Sequence, residues 1–138
     1  MPLFSISGRR PADLGVKDGR LAPCPSSPNC VSSDAEDSAH RVEPYRIAAP
    51  AERTWETVLR VVVALPRTSV VLDTDDYLHA ECTSAIMGFV DDLELNLRGL
   101  EGTIAVRSAS RVGYSDMGVN ASRVEGLRLA LENAGVVK

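Results

Sequence analysis

From Glu43 onward, apolar and polar residues recur with two distinct periods. Tyr45, Ile47 and Ala49 alternate with their neighbours, which predicts a short strand, and Pro50 followed by the acidic Glu52 suits the opening of a helix. Trp55, Val58, Leu59, Val62 and Val63 then return at helical spacing while Arg53, Glu56, Thr57 and Arg60 fall opposite. The helix is expected to run to about Leu65 and to stop at Pro66. Beyond it the period changes to two. Ser69 to Leu72 is β-branched and apolar, Asp73 to Asp76 reads as a turn, and Tyr77 to Ala85 places Leu78, Ala80, Cys82 and Ser84 on one side with His79, Glu81 and Thr83 on the other.

Phe89 to Arg98 carries Phe89, Asp91, Leu93, Leu95 and Leu97 on one face, and Thr103 to Ser110 carries Ile104, Val106, Ser108 and Ser110 on one face, with Gly99 and Gly102 between them. If the two apolar faces are to coincide, Leu97 must pair with Ile104 and Leu95 with Val106. That register sets Asp91 beside Ser110 and Glu94 beside Arg107. After a loop at Gly113 to Gly118, Asn120 is the expected cap of a last helix. This helix has Val124, Leu127, Leu131 and Ala134 on one stripe and its end at Gly135. The order predicts an α+β fold: an antiparallel sheet of about four to five strands with two helices on one face.

Residues 1–42 lack such periods. Five of the eight prolines fall there, with Ser26, Ser27, Ser32, Ser33 and the acidic run Asp34 to Asp37, so the segment reads as an extended N-terminal arm preceding a domain at 43–138. The 138 residues suit one domain. A net charge of −4 and only 4% aromatic residues disfavour nucleic-acid binding, since neither a basic field nor a stacking surface is available. No window approaches the roughly 18 consecutive apolar residues of a membrane span. Met1 to Gly8 is followed by Arg9 and Arg10, the reverse of a secretory signal, so a cytoplasmic location is expected.

Four strings resemble a bacterial and plastid family catalogued as domain of unknown function 1499. They are LAPCPSSPNCVSS from Leu21 to Ser33, GFVDDLE from Gly88 to Glu94, IAVRSASRVG from Ile104 to Gly113, and SDMGVN from Ser115 to Asn120 with Arg123 following. The resemblance runs from about Leu14 to Leu131. It implies no activity, and so no catalytic residue and no cofactor. Some members carry an N-terminal anchor or targeting peptide, which this chain does not show. The strand and helix order also resembles helix-grip lipid-binding domains, by architecture alone.

Three features carry candidate chemistry. Cys24 and Cys30, with five residues between them, suit either two tucked thiols or a disulfide stapling the arm; the spacing is poor for zinc, and oxidation would argue for an extracytoplasmic location. Cys82 reads as a small buried hydrophobe. Asp91 is the anomaly, because it lies on the face that should be buried and a buried carboxylate needs partners or a proton. Arg107, Ser108, Ser110 and Arg111 are its nearest donors in the inferred register, with Asn120 and Arg123 around them. Asp92 and Glu94 should point to solvent, and His79 should be an outward strand residue. Gly113 to Gly118 lacks the spacing and the parallel strand of a nucleophile elbow, so no catalytic residue and no metal ligand is assigned. The pattern suggests that a small or amphipathic, anionic, lipid-like ligand binds between the sheet and the last helix at Asp91, Arg107, Ser108, Ser110, Arg111, Asn120 and Arg123. The alternative is a structural or protein-interaction module.

Overall fold

The computed structural model describes residues 8–85, 88–113 and 115–138; Met1 to Ser7 and Tyr114, on which parts of the reading above fall, lie outside them. The chain runs β1 (Val16–Lys17), β2 (Arg20–Leu21), β3 (Cys30–Ser32), β4 (Tyr45–Arg46), α1 (Ala51–Val63), β5 (Thr68–Asp73), β6 (Tyr77–Thr83), β7 (Val90–Arg98), β8 (Thr103–Ser110) and α2 (Val119–Asn133). β1 and β2 form a small hairpin, and the other six strands form one antiparallel sheet ordered β3-β8-β7-β6-β5. β4 also pairs β8, so two short strands share that strand's outer edge. The fold is α+β, with one more strand than expected because arm residues Cys30 to Ser32 join the sheet.

The β7–β8 register follows from the coincidence of apolar faces: Leu97 pairs with Ile104, Leu95 with Val106, Glu94 with Arg107 and Asp91 with Ser110. Both helices cover the face carrying Leu78, Ala80, Leu93, Leu95, Ile104 and Val106, which with Val58, Val62, Val124, Leu127 and Leu131 form the main core. Cys82 is buried in that core as expected. Tyr45 is buried there too, and its hydroxyl donates to the Val124 carbonyl at 2.7 Å.

α1 is rotated from the expected face. Thr54 and Thr57 are buried while Val63 is exposed. The hydroxyls make this inexpensive, since Thr54 Oγ1 donates to Ala49 O at 3.2 Å and Thr57 Oγ1 to Arg53 O at 2.9 Å, leaving their methyl groups for the core. α2 ends at the expected glycine. Gly135 takes φ +78°, its N–H donates to Glu132 O, and the N–H of Val136 donates to Leu131 O, so the last carbonyls are satisfied and Val136 is delivered to the core.

The arm lies across the opposite face of the sheet. Leu21 packs with Tyr77 and Ala105, the Gly15 N–H donates to Glu94 Oε2 at 2.8 Å, and Arg10 reaches Glu81 at 2.8 Å. Three expectations are corrected by this cover. Asp92 and Glu94 are buried rather than solvated, and His79 faces inward with a relative exposure of 4%. A polar face suited to water is equally suited to an arm that supplies donors and acceptors.

Cys24 and Cys30 are joined by a disulfide, which removes them as metal ligands. A second clasp holds the same loop: His40 Nδ1 meets Asp37 Oδ2 at 2.6 Å and Nε2 meets the Ser27 carbonyl at 2.8 Å. Acceptors at both ring nitrogens favour the imidazolium, so the Ser27 carbonyl first and the Asp37 carboxylate second raise the His40 pKa. A raised folded value means that this clasp is at full strength below the unfolded histidine value of about 6.5 and is lost as pH rises through the higher folded value. Amide exchange of Ser32 and Val42 should therefore accelerate on going from mildly acidic to alkaline pH beyond the intrinsic rate. A His40→Gln variant should show no such excess, and an equal excess in both proteins would refute the assignment.

Candidate functional site

Asp91 and Arg123 meet between the sheet and α2. Asp91 lies near the start of β7, at the point where the helix-side face passes from leucine to polar residues. Arg123 lies one turn into α2, and its Nη1 stands 2.8 Å from Asp91 Oδ2 with Asp91 6% exposed. The same Nη1 donates to Ser108 Oγ at 3.1 Å and to Asn120 Oδ1 at 2.8 Å. The carboxylate on the inward face is thus compensated by a guanidinium, which its burial requires.

Asn120 is the hub of this cluster rather than a helix cap. It is fully buried inside the first turn of α2, where Oδ1 accepts from Ser108 Oγ at 2.7 Å and Nδ2 faces Ser110 Oγ at 2.9 Å, Asp116 Oδ2 at 2.7 Å and Asn29 O at 3.2 Å. The capping falls to Asp116, whose carboxylate accepts from the N–H groups of Gly118 at 2.9 Å and Asn120 at 3.0 Å. Burial would raise the Asp116 pKa, but these backbone amides and the Asn120 side chain outweigh it and hold the carboxyl below its usual range. Asn29 reaches the site from the arm: its carbonyl accepts from the Ser110 N–H at 2.9 Å, and its Nδ2 donates to Gly113 O at 2.8 Å.

Two openings that share Asp91 border this cluster. A cleft of about 560 Å³ runs between α2 and the ends of β5 and β6, with Asp91 and Arg123 beside Leu65, Pro66, Arg67 and Leu127. A smaller recess of about 130 Å³ is bordered by Asp91, Ser110, Phe89 and Val119. Cys82 borders the cleft; burial pushes its thiol pKa up, and Thr68 Oγ1 lies 3.7 Å from its Sγ. The exposed side chains of Phe89, Met117 and Val119 lie in the segments that border the recess, giving this end of the molecule an apolar rim.

Arg107 and Arg111 are elsewhere. The alternation of β8 sends them to the arm side, opposite Ser108 and Ser110, so the seven candidate residues do not converge. Arg111 forms two bonds of 2.8 Å to Asp92 and a further short one to Glu81. His79 Nε2 meets Asp92 Oδ1 at 2.7 Å. Burial acts to raise the Asp92 pKa, yet hydrogen bonds from Arg111 and then His79 hold it low, and the same balance of burial against Arg111 and Arg10 lowers Glu81. Next to them Glu94 accepts from Tyr77 Oη at 2.6 Å and lies 3.5 Å from Arg107, whose Nη2 donates to the Pro23 carbonyl at 3.3 Å. Asp34 of the arm takes two bonds, of 2.8 and 2.7 Å, from Arg98.

His79, Glu81 and Asp92 offer ligand atoms within 4.8 Å of one another, and the cation placed against both carboxylates is Arg111. The arrangement can hold the arm to the sheet without further charge. Arg67, Asn29, Asp116 and the arm-side carboxylates were not singled out by sequence pattern. Only the cross-strand matching of Glu94 with Arg107 signalled a network there.

Among the described residues, no helix is long and apolar enough to cross a membrane. A comparison with curated proteins found no match. The sequence profile of the family described as protein of unknown function (DUF1499) matches residues 20–131, which takes in the disulfide loop, the sheet and most of α2. The chain belongs to that family.

Proposed function

We propose that this domain is noncatalytic and holds one small amphipathic anion in the cleft between the sheet and α2. The observation that carries this reading is a buried Asp91–Arg123 pair opening onto a cleft of about 560 Å³. That volume falls in the range of about 300–1,000 Å³ typical of small-molecule sites. Two arginines, Arg67 and Arg123, line the cleft with one carboxylate, Asp91, so it retains positive charge for a carboxylate or phosphate head, while Leu65, Pro66 and Leu127 suit an apolar tail. Arg107 and Arg111 drop out of the contact set because they serve the arm.

Native mass spectrometry and calorimetry with decanoate as the probe test this. One decanoate per chain is expected, with affinity reduced by about tenfold or more in Arg123→Met, as befits loss of a charge-assisted contact. Absence of binding to the parent protein, or equal binding by the variant, would refute it.

A second reading, a structural module without a small-molecule ligand, is favoured by how completely Ser108, Ser110 and Asn120 satisfy one another and Asn29. In that case Arg123→Met would lower stability and leave decanoate binding absent throughout. The Cys24–Cys30 bond supports placing the protein in an oxidising, extracytoplasmic compartment, since such bonds persist there and seldom in a reducing cytoplasm.

A further inference from the structure

We infer that the Cys24–Cys30 disulfide is a thiol–disulfide exchange site, attacked at Cys24 by a dithiol, whose reduction loosens the polar cluster beneath the cleft through Asn29. The two sulfurs stand in different surroundings. Cys30 is 1% exposed within β3, paired opposite Ala109. Cys24 is partly exposed and borders a separate surface cleft of about 390 Å³ on the arm, together with Arg20, Leu21, Pro23 and Asp34. An external thiolate therefore reaches Cys24 Sγ, and the leaving group is the sulfur of Cys30.

The step balances as an exchange. The attacking thiolate forms a mixed disulfide with Cys24 as the Cys24–Cys30 bond breaks, and the Cys30 thiolate takes up a proton. The second thiol of the reductant then displaces Cys24. The protein gains two electrons and two protons, and the dithiol becomes a disulfide. Arg20 beside the cleft donates to the Asp34 carbonyl, and Asp34, Glu36 and Asp37 line the same cleft, so exposure rather than charge directs the attack to Cys24.

The consequence lies in what the loop holds. Between the cysteines, Ser27 hydrogen-bonds Asn29 at 2.8 Å, and Asn29 gives its carbonyl to both the Ser110 N–H and the Asn120 side chain and its amide to Gly113 O. While the bond is intact, the short Pro25 to Asn29 loop has little freedom to lose on making these contacts. Once it is cut, that freedom returns at Asn29, which bonds the hub of the cluster, Asn120, directly, while Cys30 stays in the sheet. Control of ligand access by this route rests on the reading of the cleft given above; the exchange and the loosening do not.

The test uses the full chain without ligand. Brief exposure to excess glutathione, alkylation and peptide mapping should place the mixed disulfide on Cys24; a mixed disulfide on Cys30 would overturn the assignment. Hydrogen exchange should then be compared between oxidised chain and chain reduced with dithiothreitol. The Ser110 amide should exchange about tenfold faster or more on reduction, while the Leu93 and Leu95 amides keep their rates, as for a local opening. No change at Ser110, or an equal change throughout the sheet, would overturn it. Cys24→Ser should reproduce the reduced pattern, and if that variant does not fold the comparison of the two redox forms of the parent chain decides. Decanoate affinity of the oxidised chain, measured separately, reports on the ligand reading alone.

Discussion

Replacing Arg111 by methionine should destabilise the protein by about 3–5 kcal/mol, the cost of leaving buried carboxylates without their cation. Asp92 is 1% exposed and Glu81 only partly exposed, and Arg111 bridges both from one guanidinium. Arg10 can still serve Glu81, but Asp92 keeps only His79. For a chain of this size the loss corresponds to roughly 10–15 °C in Tm. Adding Asp92→Asn to Arg111→Met should recover about 1–2 kcal/mol, because the stranded charge is then removed, and this non-additivity is the signature of a direct pair. Arg107 is expected to matter less. Its distance to Glu94 is 3.5 Å, and its Nε has no hydrogen-bond partner among the described residues. Thermal and urea denaturation of Arg111→Met, Asp92→Asn, their combination and Arg107→Met measures all of this, and a loss below about 1 kcal/mol for Arg111→Met would mean that the arm side is wet.

Asn120→Ala should cost about 2–4 kcal/mol, as several buried partners lose their hydrogen bonds at once. Ser108, Ser110, the Asp116 carboxylate, the Asn29 carbonyl and Arg123 all meet this one side chain. Alanine is the better helix former, so the backbone gains a few tenths of a kcal/mol and the loss belongs to the cluster. The effect should reach the arm as well. The Asn29 main-chain carbonyl would lose one of its two donors, and exchange of the Ser110 amide should rise. A conservative Asn120→Asp change is not equivalent: it places a second carboxylate against Asp116, and is expected to be at least as harmful at neutral pH.

The sheet and its register were legible because they follow from matching two apolar faces. Leu95 and Leu97 against Val106 and Ile104 leave one pairing, and that pairing alone puts Asp91 beside Ser110. The buried Asp91 was likewise visible as a charge on an apolar stripe. What escaped is the fate of the other face. Glu81, Asp92 and Glu94 alternate outward as solvated residues do, and a strand pattern cannot distinguish water from an arm that supplies Arg10, the Gly15 N–H and the Pro23 carbonyl in its place. The same limit explains Arg107 and Arg111. Both are near Asp91 in sequence register, but parity along β8 assigns them to the far side, a test available from the sequence once the faces of β7 and β8 are fixed.

Local polarity misled in two further places. Thr57 looked like an outward position of α1, although its hydroxyl can bond to the Arg53 carbonyl one turn back and leave a methyl group for the core. Asn120 looked like a cap because asparagine favours that role, whereas the Asp116 carboxylate, two residues before Gly118, accepts from the Gly118 and Asn120 amides and frees the Asn120 side chain for the interior. The Cys24–Cys30 spacing admitted a bond without requiring one. Proximity in space, with Cα atoms 5.7 Å apart, settles that point.

Both faces of β6, β7 and β8 are therefore interior: one polar cluster opens onto the cleft, and one ionic network ties down residues 8–42. Carbon-detected NMR titration of the Asp92 carboxyl in the intact chain examines this most directly. A buried Asp92 held by Arg111 and His79 should titrate well below the ordinary aspartate value of about 3.9, and its stabilising effect should persist above that value and fade as pH falls through the folded one. The signal of the Arg111 Nε–H, which donates to Asp92 at 2.8 Å, should shift in the same step. An Asp92 that titrates at the ordinary value, with the Arg111 signal unmoved, would contradict an interior second face.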